Sequence, residues 1–479
     1  MKKTLFKKYL FLVLILFGVF FFAKSSLAAN HYIRQGATGS NNGNDWTNAW
    51  TTLPSTLTRG DTYYIGDGTY GSYTFNDAVS GTTYIYIKKA TVADHGQGGT
   101  PDGSVGWNDS YGDGQAIFTG QQRFETGHYV FDGNTSSGLT GIGTYGFKVA
   151  VPTTGYYIYL YNGPTYVTIK DTDIDARSNT QCISGGLDIK CIQGNGWPSY
   201  ITAINDRCIN FGDGFSTIGD YQVVEYCVLA RATTGGEYEM DHNGEGECGD
   251  CENVVDEDGF CEDADHGDAI ANASGADVGE YYTIRYNTFI WNGQIIYFYG
   301  TGTSVFENIY IYGNVFYVPS GKTPAASSAA VNSDSASNSV TNLYFYNNTL
   351  YHLYYSLHMR STTETGQVRN NIIIDMVTYS FGDLTHEYNA ADADLGESYD
   401  VLVDSSIFTN AIGYNFTLTS AGAASMMAGN SAIGSTYNTD MLGNIRGSDG
   451  KWDRGAYEYV GAAPPDTTPP SPPQNVSVS

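Results

Sequence analysis

Apolar and polar residues alternate with a period of two in short runs, and Gly or Asn stands where the runs end. Ile85 and Ile87 alternate with Tyr84, Tyr86 and Lys88; Ile158 and Leu160 alternate with Tyr157, Tyr159 and Tyr161. Period two belongs to strands with one packed face and one wet face. The pattern predicts an all-β protein, with Ile158 and Leu160 inward and the three tyrosines outward.

From about residue 130 to 435 the runs repeat one motif: an alternating strand, an Asn-like residue, then another apolar pair. It reads Val167-Thr-Ile-Lys-Asp-Thr172, Val223-Val-Glu-Tyr-Cys227 and Thr283-Ile-Arg-Tyr-Asn287. It continues as Tyr310-Ile-Tyr-Gly-Asn314, Tyr344-Phe-Tyr-Asn-Asn348 and Gln367-Val-Arg-Asn-Asn371. The anchors lie 55, 60, 27, 34 and 23 residues apart, so the first two intervals read as doubled units. Units too short to fold alone must bury their apolar faces on one another. The fold expected is a solenoid, a parallel β-helix. Asn287, Asn314, Asn348 and Asn371 then form an inward ladder, because buried polar groups must be hydrogen-bonded. Cys227 takes an Asn position and is expected to be inward and free.

Three further stretches carry a resemblance. Near the start stand Tyr32-Ile-Arg-Gln-Gly36, Asp45-Trp-Thr-Asn-Ala-Trp50 and Gly60-Asp-Thr-Tyr-Tyr-Ile-Gly-Asp-Gly-Thr-Tyr70. Near the end stand Ser431-Ala-Ile433, Arg446 and Trp452-Asp-Arg-Gly-Ala-Tyr-Glu-Tyr459. With the coils between them, they resemble secreted bacterial right-handed parallel β-helix proteins of the pectate-lyase-like superfamily, including a closing Asp-x-Gly-Ala-Tyr-Glu segment. The resemblance implies a polysaccharide-active lyase or hydrolase. No complete motif of either kind is present.

The ends read differently. A basic start, an apolar run from Tyr9 to Phe22 and small residues up to Ala29 predict a secretory signal peptide over 1–28. Residues 29–130 form a cap and first coils, 131–435 the coils and 436–461 the closing segment. A Pro-rich linker spans 462–473, and 474–479 resembles the first strand of a fibronectin type III module. The expected location is secreted or cell-surface, without a membrane span, and the chain is expected to be monomeric.

Charge narrows the partners. Five of the 23 bases fall in the leader, so the remaining chain carries 23 − 5 = 18 bases against 50 acids, or −32. Such a surface repels nucleic acid and anionic membranes. Fourteen acids crowd into residues 237–268 without a Lys or Arg. Hard cations take oxygen ligands, so Asp256, Asp258, Glu262, Asp263 and Asp265 are candidate ligands for Ca²⁺, against a solvated acidic insertion. All seven cysteines lie between Cys182 and Cys261; export favours disulfides over zinc. Cys182 and Cys191 are spaced to close a short loop, and the pairing stays open.

Two sets of side chains are candidates for chemistry. Asp265-His-Gly-Asp-Ala-Ile270 resembles the His-x-Asp-Gly-Ile strand of exported β-helix proteins, with Ala269 where Gly is usual. Stacking places His266 and Asp268 within a few turns of Tyr297, Tyr299, His358 and Arg360. His266, Asp268, His358 and Arg360 are the acid–base candidates, against a merely wet polar face. A second column, outward and exposed, runs Lys170, Glu225, Arg285, Tyr312, Tyr346 and Arg369, flanked by Tyr310 and Tyr344. Aromatic and Arg side chains suit sugar faces and hydroxyls, so Arg285, Tyr297, Tyr299, Tyr310, Tyr312, Tyr344, Tyr346 and Arg369 are candidate substrate contacts. The partner expected is an extracellular polysaccharide. A non-catalytic surface or adhesive protein is the other class that fits.

Overall fold

In a computed structural model the chain winds into a parallel β-helix. The structure describes residues 28–96, 105–133, 145–150, 155–175, 190–230 and 268–460, apart from 210, 212, 218, 275–277, 291–292, 301–303, 325, 327, 335–337, 362, 398, 426–431 and 449. The leader, the linker, the fibronectin-like start, Cys182 and the acidic stretch up to residue 267 lie outside these. Among the described residues no helix is long and apolar enough to cross a membrane.

One coil shows the plan. Thr165–Lys170 lies in the first sheet, Thr172–Asp175 in the second and Lys190–Gly194 in the third. The next coil repeats the order with Ser199–Ile204, Arg207–Ile209 and Asp213–Ser216, each paired in parallel with its predecessor. Among the described residues the three sheets hold twelve, twelve and nine strands. Ile and Phe columns fill the interior, as where Phe289 stacks on Phe316 at 4.7 Å.

The ladder is longer than the repeat predicts. Main-chain N–H groups of Asn287, Asn314 and Asn348 donate to Oδ1 of Asn314, Asn348 and Asn371 at 2.9, 3.0 and 2.8 Å. It extends to Asn389 at one end, and through Cys227 and Asp206 to Thr172 at the other. Asp206 explains the first long interval, which holds an extra coil. The second interval does not hold one. Val228–Ala230 pairs directly with Thr288–Ile290, and the surplus residues are an insertion between the second- and third-sheet strands of a single coil.

Just before each ladder position the chain turns through a left-handed residue: Asp171, Asn205, Tyr226, Tyr286, Gly313, Asn347, Asn370 and Tyr388. A second left-handed line runs through Tyr166, Tyr200, Tyr221 and Tyr281, with φ between 56° and 62°. That conformation is strained for a bulky residue. Here the rings stack on one another at 4.4, 4.4 and 4.7 Å, which offsets the strain.

Strict alternation fails in the third sheet. Tyr157, expected outside, is fully buried beside Ile158, and the pairs Cys191/Ile192 and Ile295/Ile296 repeat this on other coils. Two inward residues in succession kink each strand at the same height. Cys191 bonds to Cys208 across the coil interior, so it does not close a loop with Cys182. Cys227 is buried and free, as its ladder position requires.

The closing segment folds back over the last coils. Trp452 Nε1 donates to Asn347 Oδ1, Gly455 N to Asn370 O and Arg454 to the carbonyls of Asn389 and Tyr399. Arg446 donates to the carbonyls of Asp453, Gly455 and Ala456. The segment thereby clamps four coils to one another.

Candidate functional site

The kink in the third sheet decides which side chains point outward. Register places two outward columns side by side. The first runs Tyr156, Lys190, Asp213, Asp268, Gln294, Ala329 and Tyr355. The second runs Arg123, Tyr159, Gln193, Ser216, Ala271, Tyr297, Asn332 and His358. Tyr299 lies beyond it, two residues along its strand from Tyr297, and Arg360 follows the strand of His358, which ends at Met359.

The expected residues are therefore on one face, yet spread along it. Asp268 stands three coils from His358 and on a different column, at least ~14 Å at ~4.8 Å per coil. The two cannot act on one bond. Asp268 and Tyr297 are buried at 4% and 5% exposure, whereas Tyr299 is 38% exposed. His358 stacks on Tyr355 with centroids 4.3 Å apart at 8°. His266 and the carboxylates Asp256, Asp258, Glu262, Asp263 and Asp265 lie outside the described residues.

Lys190 and Asp213 are absent from the sequence expectation. They form an ion pair of 2.7 Å one coil from Asp268. Asp213 occupies on its coil the place Asp268 has on the next, since Gly214 N donates to Asp268 O at 2.8 Å. The signal was present: Gly212-Asp-Gly-Phe215 is a copy of Gly267-Asp-Ala-Ile270. Adjacent coils set the backbones of these two aspartates ~4.8 Å apart, a spacing from which their carboxyl groups can reach the ~5–5.5 Å separation used by retaining glycosidases.

Tyrosines and an arginine fill the face on the N-terminal side. Arg123 lies over the Tyr161 ring at 3.8 Å and pairs with Glu125 at 2.8 Å. Tyr159 packs against Tyr156 at 4.9 Å and Tyr161 at 5.4 Å, and burial raises its phenol pKa.

The first-sheet column has the expected register but not the expected exposure. Glu225, Arg285, Tyr312, Tyr346 and Arg369 are in line. Arg285 binds Glu225 at 2.6 Å and the Tyr312 hydroxyl at 2.9 Å. Tyr312 and Tyr346 are buried at 3% and 4%, because Tyr437 of the closing segment packs edge-on against both. Burial pushes the Tyr346 phenol up to about 12. Only Tyr310 and Tyr344, stacked at 5.3 Å, keep partial exposure among the four tyrosines. Arg369 is tied to Glu387 at 3.2 Å.

A further charged cluster lies on the second sheet. Arg207 grips Asp173 with two bonds of 2.8 Å, and Lys148 lies 3.8 Å from both Asp173 and Asp175. Both oxygens of Asp173 are committed to Arg207, which makes the cluster a brace between coils.

No family model matches the chain, and no curated protein matches it. Solved structures that align with it include two of one enzyme. The PL6 family alginate lyase AlyGC does so at 10% identity and a TM-score of 0.31, over 73% of this chain and 51% of that one. An arginine-to-alanine mutant of AlyGC does so at 12% identity and a TM-score of 0.32, over 85% and 57%. The chain thus matches little more than half the length of either, and the functional argument rests on its own residues.

Proposed function

We propose that this protein is an exported, polysaccharide-binding and polysaccharide-degrading β-helix protein that works on the outward face of its third sheet. One observation carries the reading: Lys190, Asp213 and Asp268 stack at matching positions of three successive coils, with tyrosines on both sides. In this reading Asp268 gives a proton to the glycosidic oxygen as the bond to the anomeric carbon breaks. Asp213, held in place by Lys190, attacks the anomeric carbon as that bond breaks and forms a glycosyl ester; water, giving its proton to the Asp268 carboxylate, then displaces Asp213 and completes hydrolysis. Within the hydrolase reading, the one-coil spacing of the two aspartates favours retention over inversion.

The test is a polysaccharide panel in which reducing ends and unsaturated-product absorbance are followed together. Reducing ends without absorbance support the hydrolase; absorbance would make the protein a lyase. A non-catalytic adhesive role draws on a different observation, the burial of Asp268, and binding without turnover would establish it. We also propose that the carboxylates Asp256, Asp258, Glu262, Asp263 and Asp265 take Ca²⁺. Excess chelator should then lower the melting temperature, and added Ca²⁺ restore it.

A further inference from the structure

Along the third sheet, the coil of Arg123 and the coil of His358 are seven steps apart, ~34 Å at ~4.8 Å per coil. Asp213 and Asp268 occupy the third and fourth steps. The carboxylates are therefore central, with a tyrosine surface on either side. On the N-terminal side stand Tyr156, Tyr159 and Tyr161; on the other stand Tyr299, packed on the buried Tyr297, and Tyr355.

The polar atoms of this face point to what it holds. Arg123 Nε, Gln193 Oε1 and Gln294 Oε1 are buried without hydrogen-bond partners among the described residues. One donor and two acceptors left unmade cost free energy that a ligand rich in hydroxyls would recover. The charges are already balanced. Arg123 pairs with Glu125 and Lys190 with Asp213, so neither cation awaits a ligand carboxylate. The surrounding chain is strongly acidic and repels polyanions.

We propose that the N-terminal half of this face, Arg123, Tyr159, Tyr161 and Gln193, is a sugar-binding platform for a neutral polysaccharide. The polymer lies along the helix axis across both tyrosine surfaces, and it is cut internally rather than from an end. This rests on the hydrolase reading for the cut, but not for the binding.

The experiment has a turnover arm and a binding arm. Soluble xylan, mannan and mixed-linkage β-glucan serve as neutral probes, with alginate and polygalacturonate as charged ones. Viscosity should collapse while few reducing ends have formed, and only with a neutral polymer. On an end-labelled oligosaccharide of that polymer, Tyr159→Ala and Tyr299→Ala should displace the cleavage position in opposite directions. Short products released at constant viscosity would overturn internal cutting, and so would displacement in the same direction. Preference for a charged polymer would overturn the neutral ligand.

If no polymer is cut, the hydrolase reading fails and the binding arm decides. Tyr159→Ala should then weaken binding of one neutral polymer at least tenfold, with an unchanged circular dichroism spectrum. Wild-type affinity in that variant, or no binding by the wild type, would overturn the platform.

Discussion

Tyr437 meets Tyr312 edge-on, with ring centroids 4.8 Å apart and planes at 87°. It meets Tyr346 in the same manner at 5.2 Å and 86°. Nearby, the Tyr286 hydroxyl and Thr439 Oγ1 are 2.8 Å apart. A tyrosine column that suits a sugar is thus filled by the protein's own closing segment.

It follows that Tyr312 supports stability. Tyr312→Ala should cost about 3 kcal/mol, in the range of large aromatic truncations in a core, and leave glycan affinity at the third sheet unchanged. Urea unfolding and affinity electrophoresis on the same preparation separate the two effects. A loss of affinity without a shifted midpoint would return this column to the binding face.

The ladder makes a prediction in each direction. Asn348 accepts from Asn314 N and donates to Ile311 O at 3.0 Å, so Asn348→Leu orphans buried groups and should cost about 1–3 kcal/mol. Cys227→Asn should instead stabilise by about 1 kcal/mol. Its new amide can meet Asp206, whose Oδ2 has no partner among the described residues and whose carboxyl burial pushes well up. A lower midpoint for Cys227→Asn would show that the thiol's shape matters more than the bond.

The ladder could be read from the sequence because an Asn between apolar residues must be satisfied inside. The direction of Tyr157 could not be read, since a kink that turns two successive residues inward breaks the period of two. Nor could the burial of Tyr312 and Tyr346, which depends on a segment far along the chain. Lys190 escaped notice because its strand, Lys190-Cys-Ile-Gln-Gly194, contains no polar alternation. Asp268 stands in a stretch that carries a resemblance, and Asp213 stands in its shorter copy, Gly212-Asp-Gly-Phe215, which lacks the His.

Stability should fall as pH rises toward neutrality, through Glu458. Burial pushes this carboxyl from 4.5 up to about 7, although Arg446 lies 3.8 Å away. The folded value lies above the unfolded one. Between 4.5 and about 7 the native state therefore binds more protons, and its stability declines with pH. The penalty is complete above about 7 and absent below 4.5, on the order of 1–3 kcal/mol. Glu458→Gln should flatten this part of the stability–pH curve, even though it loses an acceptor for Asp453 N. An unchanged slope would mean that the carboxyl titrates at its ordinary value.

The decisive substitution is Asp268→Asn. It preserves shape while removing the proton that the leaving oxygen needs, so kcat should fall by about 10²–10⁴ with KM nearly unchanged. Asp213→Asn should abolish turnover as well, but for a different reason. It removes both the group facing the anomeric carbon and the carboxylate that the Lys190 ammonium meets at 2.7 Å. Lys190→Met should act through Asp213, lowering kcat by a smaller factor, because the carboxylate loses the ion pair that orients it. A substrate whose leaving group needs no protonation distinguishes the two aspartates. An activated aryl glycoside should rescue Asp268→Asn and leave Asp213→Asn inactive. If Asp268→Asn turns over the polymer at the wild-type rate, the acid lies elsewhere on the face; if the activated substrate rescues both variants equally, the two carboxylates do not divide the work as their stacking suggests.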